Sequence, residues 1–332
     1  MRVFIIICAC CLPAFSDSYD DSKINGNMPQ EPGYKEGFVE FGTASIHYID
    51  WGGAGLPLIL IPGLGDTPYI FTDLASVLKE DIRLIAYSRR DQCKSKSFNG
   101  RYDNDELISD LRHLMDGLGL EKANLLGWSM GGNEITGFAA LYPERTNKLI
   151  YLEAGYDLSD NEFNVLVQGL PVSYQAGKED LQTIDAYRRW FHRFWFPDIP
   201  WNETLEANLR ASVLINNDSS ISTIPNDSIT RLILGSAMKY HREYDKVSAP
   251  GLFFFSGPFF FPPDPDSITA SLYDAMETSL ISPWRKRSIQ RIRNKFRNPI
   301  IVEMNNGSHT SMIFRERDSI AATIKEYLLS KP

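Results

Sequence analysis

At 332 residues, with 43% apolar and 23% charged composition, the chain has the balance of a globular protein with a substantial core, neither disordered nor fibrous. A formal charge of -8 and a pI near 5.3 exclude a protein whose main task is to neutralise phosphates or anionic lipid, so nucleic acid is not an expected partner. The histidines (His47, His113, His192, His241, His309) are scattered and show no paired ligand spacing, so no metal site is expected.

The N-terminus reads Met1-Arg2 and then "VFIIICACCLPAF", a 13-residue apolar run too short to span a bilayer, followed by the polar, acidic "SDSYDDS". This is the anatomy of a signal peptide over residues 1–16. Ala14 and Ser16, three and one positions before Asp17, fit cleavage after Ser16, giving an exported protein, secreted or periplasmic, with no stable membrane insertion after cleavage. Lipid anchoring through Cys10 is the alternative, weakened by the short apolar run before it; the N-terminal mass of exported protein decides between them. Three of the four cysteines lie in this segment, so the mature chain would keep Cys93 and form no internal disulfide.

Beyond the leader, "EGFVEFG" and "ASIHYIDWG" alternate like two antiparallel strands turning at Gly42 and Thr43. The pattern then changes to short continuous apolar runs, "PLILIPG" (57–63), "RLIAYS" (83–88), "ANLLGWS" (123–129) and "KLIYLEA" (148–154), as expected of strands covered on both faces. Helical patterns lie between them, clearest at Leu107, Ile108, Leu111, Leu114, Met115 and Leu118 behind the acidic start "DNDE". Such alternation predicts a mostly parallel sheet with right-handed crossovers, first part 17–156. From 157 to 248 the alternation stops around the aromatic "YRRWFHRFWFPDIPW" (187–201), which reads as a helical insertion. The sheet pattern returns over 249–332 with "GLFFFSG", "NPIIVEMN" and a last amphipathic helix carrying Ile320, Ile324, Tyr327 and Leu328.

"LLGWSMGG", Leu125 to Gly132, follows a strand and opens a helix. A serine on so sharp a turn has a strained backbone, and Gly127 and Gly131, two residues to either side, leave room for it. The Ser129 hydroxyl would then project above the carboxyl edge of the sheet. "LIPGLGDT", Leu60 to Thr67, follows the strand expected beside it, so the N–H groups of Leu64 and Met130 would form an oxyanion hole.

Here the chain resembles the α/β-hydrolase superfamily over nearly all of its mature length. "YDNDELISDLRHLMDGLGLEKANLLGWSMGGNEITGFAALYPERTNKLIYLEAG" is similar to the family's core from the helix before the nucleophile strand to the strand after it, and "YPER" is a recurring family feature. The resemblance implies Ser129 as nucleophile, a late histidine as base and an acid between them in sequence. His309, in "NNGSHTSM" past the last expected strand, stands where the family puts its base.

Many members carry the acid three residues beyond a glycine after the strand that follows the insertion, but that position here is Phe260. The other location used in the superfamily is the end of the strand before the insertion, as in haloalkane dehalogenases of one branch, and Glu153 occupies it; Asp264 and Asp266 are the alternative acids. A carboxylate at the end of an apolar strand is costly to desolvate, and orienting His309 would account for its presence. A serine at the elbow disfavours dehalogenase and epoxide hydrolase activity, which need an aspartate. "YSRRDQCKS" lacks the glycines of the "RGxGxS" common in relatives.

The insertion would be a lid, whose Trp190, Phe191, Phe194, Trp195, Phe196 and Trp201 supply either a pocket wall or plain lid core. The basic run "RKRSIQRIRNKFR" (285–297) reads as a solvated helix face rather than a membrane surface. The expectation is a serine esterase acting on small or medium apolar esters without a cofactor. Aminopeptidase, lipase and C–C bond hydrolase activities share the same machinery, a non-catalytic ligand-binding protein on this scaffold is the reading from another class, and oligomeric state is open.

Overall fold

The computed structural model describes residues 33–170, 175–262 and 268–330. The proposed leader, Cys10, Asp264 and Asp266 lie outside them. The sheet strands are β1 (Lys35–Phe41), β2 (Ala44–Gly52), β3 (Leu58–Ile61), β4 (Leu84–Tyr87), β5 (Lys96–Ser97), β6 (Ala123–Trp128) and β7 (Thr146–Leu152). A hairpin, β8 (Val213–Ile215) and β9 (Ile221–Thr223), stands apart, and β10 (Gly251–Phe255) and β11 (Ile300–Glu303) complete the sheet. The main order is β1-β2-β4-β3-β6-β7-β10-β11, antiparallel as far as β4 and parallel from there on.

The helices are α1 (Thr72–Leu78), α2 (Asn104–Gly117), α3 (Gly131–Leu141), α4 (Asn161–Gly169), α5 (Ile184–Trp195), α6 (Glu203–Ala211) and α7 (Asp227–Ala237). They are followed by α8 (Ile268–Met276), α9 (Ser282–Lys295), α10 (Met312–Arg315) and α11 (Arg317–Leu329). Alternation along the strands explains the two cores. Ile59, Leu125, Leu149, Tyr151 and Phe253 pack with α2, α3 and α9, while Leu58, Leu126, Ile150, Leu152 and Phe254 pack with α1 and α11. Helix α2 begins where its sequence says it should, since the Asp103 side chain accepts the Glu106 N–H and caps the first turn.

The region between β7 and β10 carries α4 to α7 together with the β8–β9 hairpin, so it is not wholly helical. Of the basic run, Lys286, Arg287, Arg293 and Lys295 face solvent, but Arg285 is buried beside Tyr156 and Glu277. Among the described residues no helix is long and apolar enough to cross a membrane.

Candidate active site

Four parallel strands deliver the site at one edge of the sheet. Trp128 of β6 pairs with Leu152 of β7, so the next residues, Ser129 and Glu153, emerge side by side. Both are left-handed, at φ 53° and 47°, although neither is glycine. Such backbone is strained by roughly 1–3 kcal/mol per residue and persists where the surroundings over-determine it. At the serine turn the surroundings are glycines: a Cβ on Gly127 would lie 2.5 Å from Gly131 backbone, and one on Gly131 would lie 2.6 Å from Ile61 O. At Glu153 the N–H donates to Phe254 O of β10 at 3.0 Å.

His309 lies six residues beyond β11. Its Nε2 is 2.9 Å from Ser129 Oγ and its Nδ1 is 2.8 Å from Glu153 Oε2. The tautomer protonated on Nδ1 satisfies both contacts, donating to the carboxylate and accepting from the hydroxyl. The His309 N–H donates to Phe259 O at 3.0 Å, the Trp128 indole donates to His309 O at 3.1 Å, and the Phe259 ring stacks on the imidazole with centroids 4.2 Å apart.

Glu153 is fully buried. Its Oε1 accepts the Ser256 N–H at 2.6 Å and lies 3.4 Å from the Tyr156 hydroxyl. Burial pushes its pKa up, but His309, the Arg285 charge and the Ser256 N–H outweigh that, and the net displacement is downward. Arg285 donates to the Tyr156 hydroxyl and pairs at 3.0 Å with Glu277, which also accepts the Phe259 N–H. Glu277 opens a π-helical turn, Glu277–Ile281, between α8 and α9. One ring of contacts thus holds both the Glu153 carboxylate and the aromatic ring stacked on His309.

Leu64 and Met130 line the same cavity as Ser129, and neither N–H has a protein acceptor among the described residues. The turn bearing Leu64 is gripped from both sides. Beneath it, Arg89 donates to Pro62 O at 2.6 Å and Gly63 O at 2.9 Å while paired with Glu134 at 2.7 Å. Above it, the buried Asn208 of α6 accepts the Thr67 N–H and hydroxyl, both at 2.8 Å, and donates to Asp66 at 3.0 Å.

The chain belongs to the α/β-hydrolase fold family. The family's sequence profile matches residues 57–239, more than half the chain. The chain is similar to a 2-hydroxy-6-oxononadienedioate/2-hydroxy-6-oxononatrienedioate hydrolase of Paraburkholderia phymatum, 31% identical over 125 residues, which is 35% of this chain and 43% of that protein. Matches to the first three curated relatives span 40–54% of those proteins' length. Among solved structures, E-2-(acetamidomethylene)succinate hydrolase superposes with a TM-score of 0.66 at 14% identity, covering 90% of this chain and all of that one. A carboxylesterase from Bacillus subtilis gives 0.62 at 14% identity, covering 92% and 94%. These structural likenesses speak for the fold.

In this α/β hydrolase the loop after β4 takes a left-handed course without glycine. Where the glycines of "RGxGxS" are missing, Asp91 and Cys93 themselves adopt φ 54° and 52°. Asp91 is held by accepting from Ser97 N–H, the Ser97 hydroxyl and the Tyr102 hydroxyl at 2.8, 2.7 and 2.6 Å. The Cys93 thiol is buried, and burial pushes its pKa up to about 11, which leaves it a poor nucleophile.

A cavity of about 660 Å³ opens above Ser129. Trp190, Phe191, Trp195 and Phe196 line it; Phe194 and Trp201 do not, Phe194 packing against Trp190 and Trp201 donating its indole N–H to Glu206. Tyr156, Leu166 and Phe259 contribute further apolar wall. Sequence reading missed Asp66, Asn208, Phe259 and Arg285. Local pattern carries no signal for partners that only the fold brings together, 50 residues apart for Phe259 and His309 and 142 for Asp66 and Asn208.

Proposed function

We propose that this α/β hydrolase is a serine carboxylesterase acting on small or medium apolar esters through an acyl-enzyme. The observation that carries this reading is the Ser129–His309–Glu153 relay, at 2.9 and 2.8 Å, on the floor of an apolar cavity. Ser129 Oγ attacks the ester carbonyl as its proton passes to His309 Nε2, and Glu153 stabilises the imidazolium that forms. The carbonyl oxygen, now anionic, meets the N–H groups of Leu64 and Met130. Collapse expels the alcohol, which takes the proton back from His309, and water repeats the sequence to release the acid. A cavity of about 660 Å³ suits a substrate of ordinary small-molecule size.

The test is Ser129→Ala beside the parent, with fluorophosphonate labelling and a panel of esters of graded chain length, amides and aminoacyl anilides. The expected result is labelling of the parent alone and ester turnover abolished in a variant of parental melting temperature. Residual activity within tenfold of the parent would refute the assignment. A parent that fails to label, while a control hydrolase does, points to the ligand-binding alternative.

A further inference from the structure

Asp66 is a carboxyl that the relay does not use. It follows the Leu64 turn, lines the cavity and is half-buried. Asn208 holds Oδ1 at 3.0 Å, and Oδ2 has no protein partner among the described residues. That free oxygen lies 3.0 Å from the point a Cβ on Gly63 would occupy, and Ser129 Cβ lies 3.6 Å from the same point. A bare carboxylate is therefore poised beside the place where negative charge develops in the reaction.

Such a charge opposes the oxyanion unless something neutralises it. The basic groups acting on it are engaged elsewhere: Arg89 by Pro62, Gly63 and Glu134, and the His309 imidazole by Ser129 and Glu153. The other carboxylates of the wall are Glu153, already paired, and Asp227. Apart from His309, the basic side chain on the wall among the described residues is Arg231, exposed on α7 four residues after Asp227. Burial raises the Asp66 pKa to about 6, against the opposing pull of Asn208, Arg89 and His309, so the carboxyl lacks a full counter-charge. Tyr187 of α5 lines the same cavity as both aspartates, and burial, then the Asp227 and Asp66 charges, push its phenol upward. It stacks on Trp190 at 5.3 Å, giving an electron-rich aromatic wall next to an unpaired acid.

We propose that Asp66 is a substrate-recognition carboxyl whose free Oδ2 takes an ammonium group borne next to the scissile carbonyl, so that the site selects aminoacyl esters or amides over their neutral counterparts. This rests on Ser129 as the nucleophile. The bound ammonium neutralises Asp66, removes the opposition to the oxyanion and fixes the acyl group against the aromatic wall. Asn208 is the positioning residue that keeps the carboxyl, and the turn that bears Leu64, in place.

The experiment compares phenylalanine methyl ester with methyl 3-phenylpropanoate, which differ by the amino group, on the parent and on Asp66→Asn. Asparagine can still accept from Asn208, so the fold should survive, and melting temperature checks this. The parent should favour the amino ester in kcat/KM by about ten- to a hundredfold, the range of a hydrogen bond between charged groups. Asp66→Asn should bring that ratio near one, losing on the amino ester and gaining on the neutral one. A ratio that Asp66→Asn moves by less than threefold overturns the proposal. Calorimetry with phenethylammonium separates this from failure of the esterase reading. Binding that is at least tenfold weaker in Asp66→Asn supports the proposal even without turnover, while equal binding, or none to either protein, overturns it.

Discussion

Replacing Glu153 by glutamine tests the relay with almost no change of shape. Its two oxygens each face a donor: Oε1 accepts the Ser256 N–H at 2.6 Å and Oε2 faces His309 Nδ1 at 2.8 Å. A glutamine can present an oxygen to one of them only. With its oxygen towards Ser256, the amide NH₂ faces Nδ1, which must become an acceptor; the ring proton then moves to Nε2, facing Ser129 Oγ, and the base can no longer take the serine proton. With its oxygen towards His309, the NH₂ collides with the Ser256 N–H and an unmet donor is buried, at about 1–3 kcal/mol. In either orientation the charge that favours imidazolium is lost. The expected fall in kcat is about 10⁴, or about 5.5 kcal/mol of transition-state stabilisation, with a melting temperature lower by a few degrees. Turnover of a 4-nitrophenyl ester and a thermal melt, each on the parent, Glu153→Gln, Asp264→Asn and Asp266→Asn, measure both. A folded Glu153→Gln variant within tenfold of parental kcat, beside a crippled Asp264 or Asp266 variant, would refute the reasoning and move the acid to the loop after Phe261.

Two further predictions concern stability. Burial would raise the Glu36 pKa, but His47, Lys94 and Tyr69 reverse this and hold it at about 2, below its ordinary 4.5. Because the folded value is the lower one, the contribution is complete above about pH 4.5 and vanishes as pH falls towards 2. Glu36→Gln should therefore cost about 1–2 kcal/mol at pH 7, the shift being discounted because solvent screens this partly exposed group, with the gap to the parent closing between pH 4.5 and 2; a gap independent of pH in denaturant titrations would contradict it. Asp91→Ala keeps the left-handed backbone at φ 54° while deleting three accepted hydrogen bonds, so chemical denaturation should show a loss of about 2–3 kcal/mol, and a change under 0.5 kcal/mol would show that the loop is not held this way.

What the sequence made legible follows from how local each cause is. The parallel strands announced themselves as continuous apolar runs because both faces are covered, and Ser129 because Gly127 and Gly131 stand where a Cβ would strike backbone. The β8–β9 hairpin was not legible, since three residues per strand are too few to set a period. The left-handed loop at Asp91 and Cys93 escaped notice because glycine is the usual marker of that conformation, and here hydrogen bonds to Asp91 stand in its place. Asp66 and Asn208 meet only because α6 folds over the turn after β3.

The register of β7 and β10 explains why two positions in the sequence were candidates for one proposed acid. Strands β7 and β10 are neighbours with Leu152 opposite Phe254, so the residues that follow each of them end beside the same imidazole. With Glu153 after β7, the end of β10 is left to supply other things: the Ser256 N–H that the carboxylate accepts, and the Phe259 carbonyl and ring that hold His309. Phe260, three residues beyond Gly257, is then free to be apolar, and it lines the cavity. The apolar Phe260 after β10 and the buried glutamate after β7 are thus parts of one arrangement, in which β7 supplies the carboxylate and β10 the N–H that it accepts.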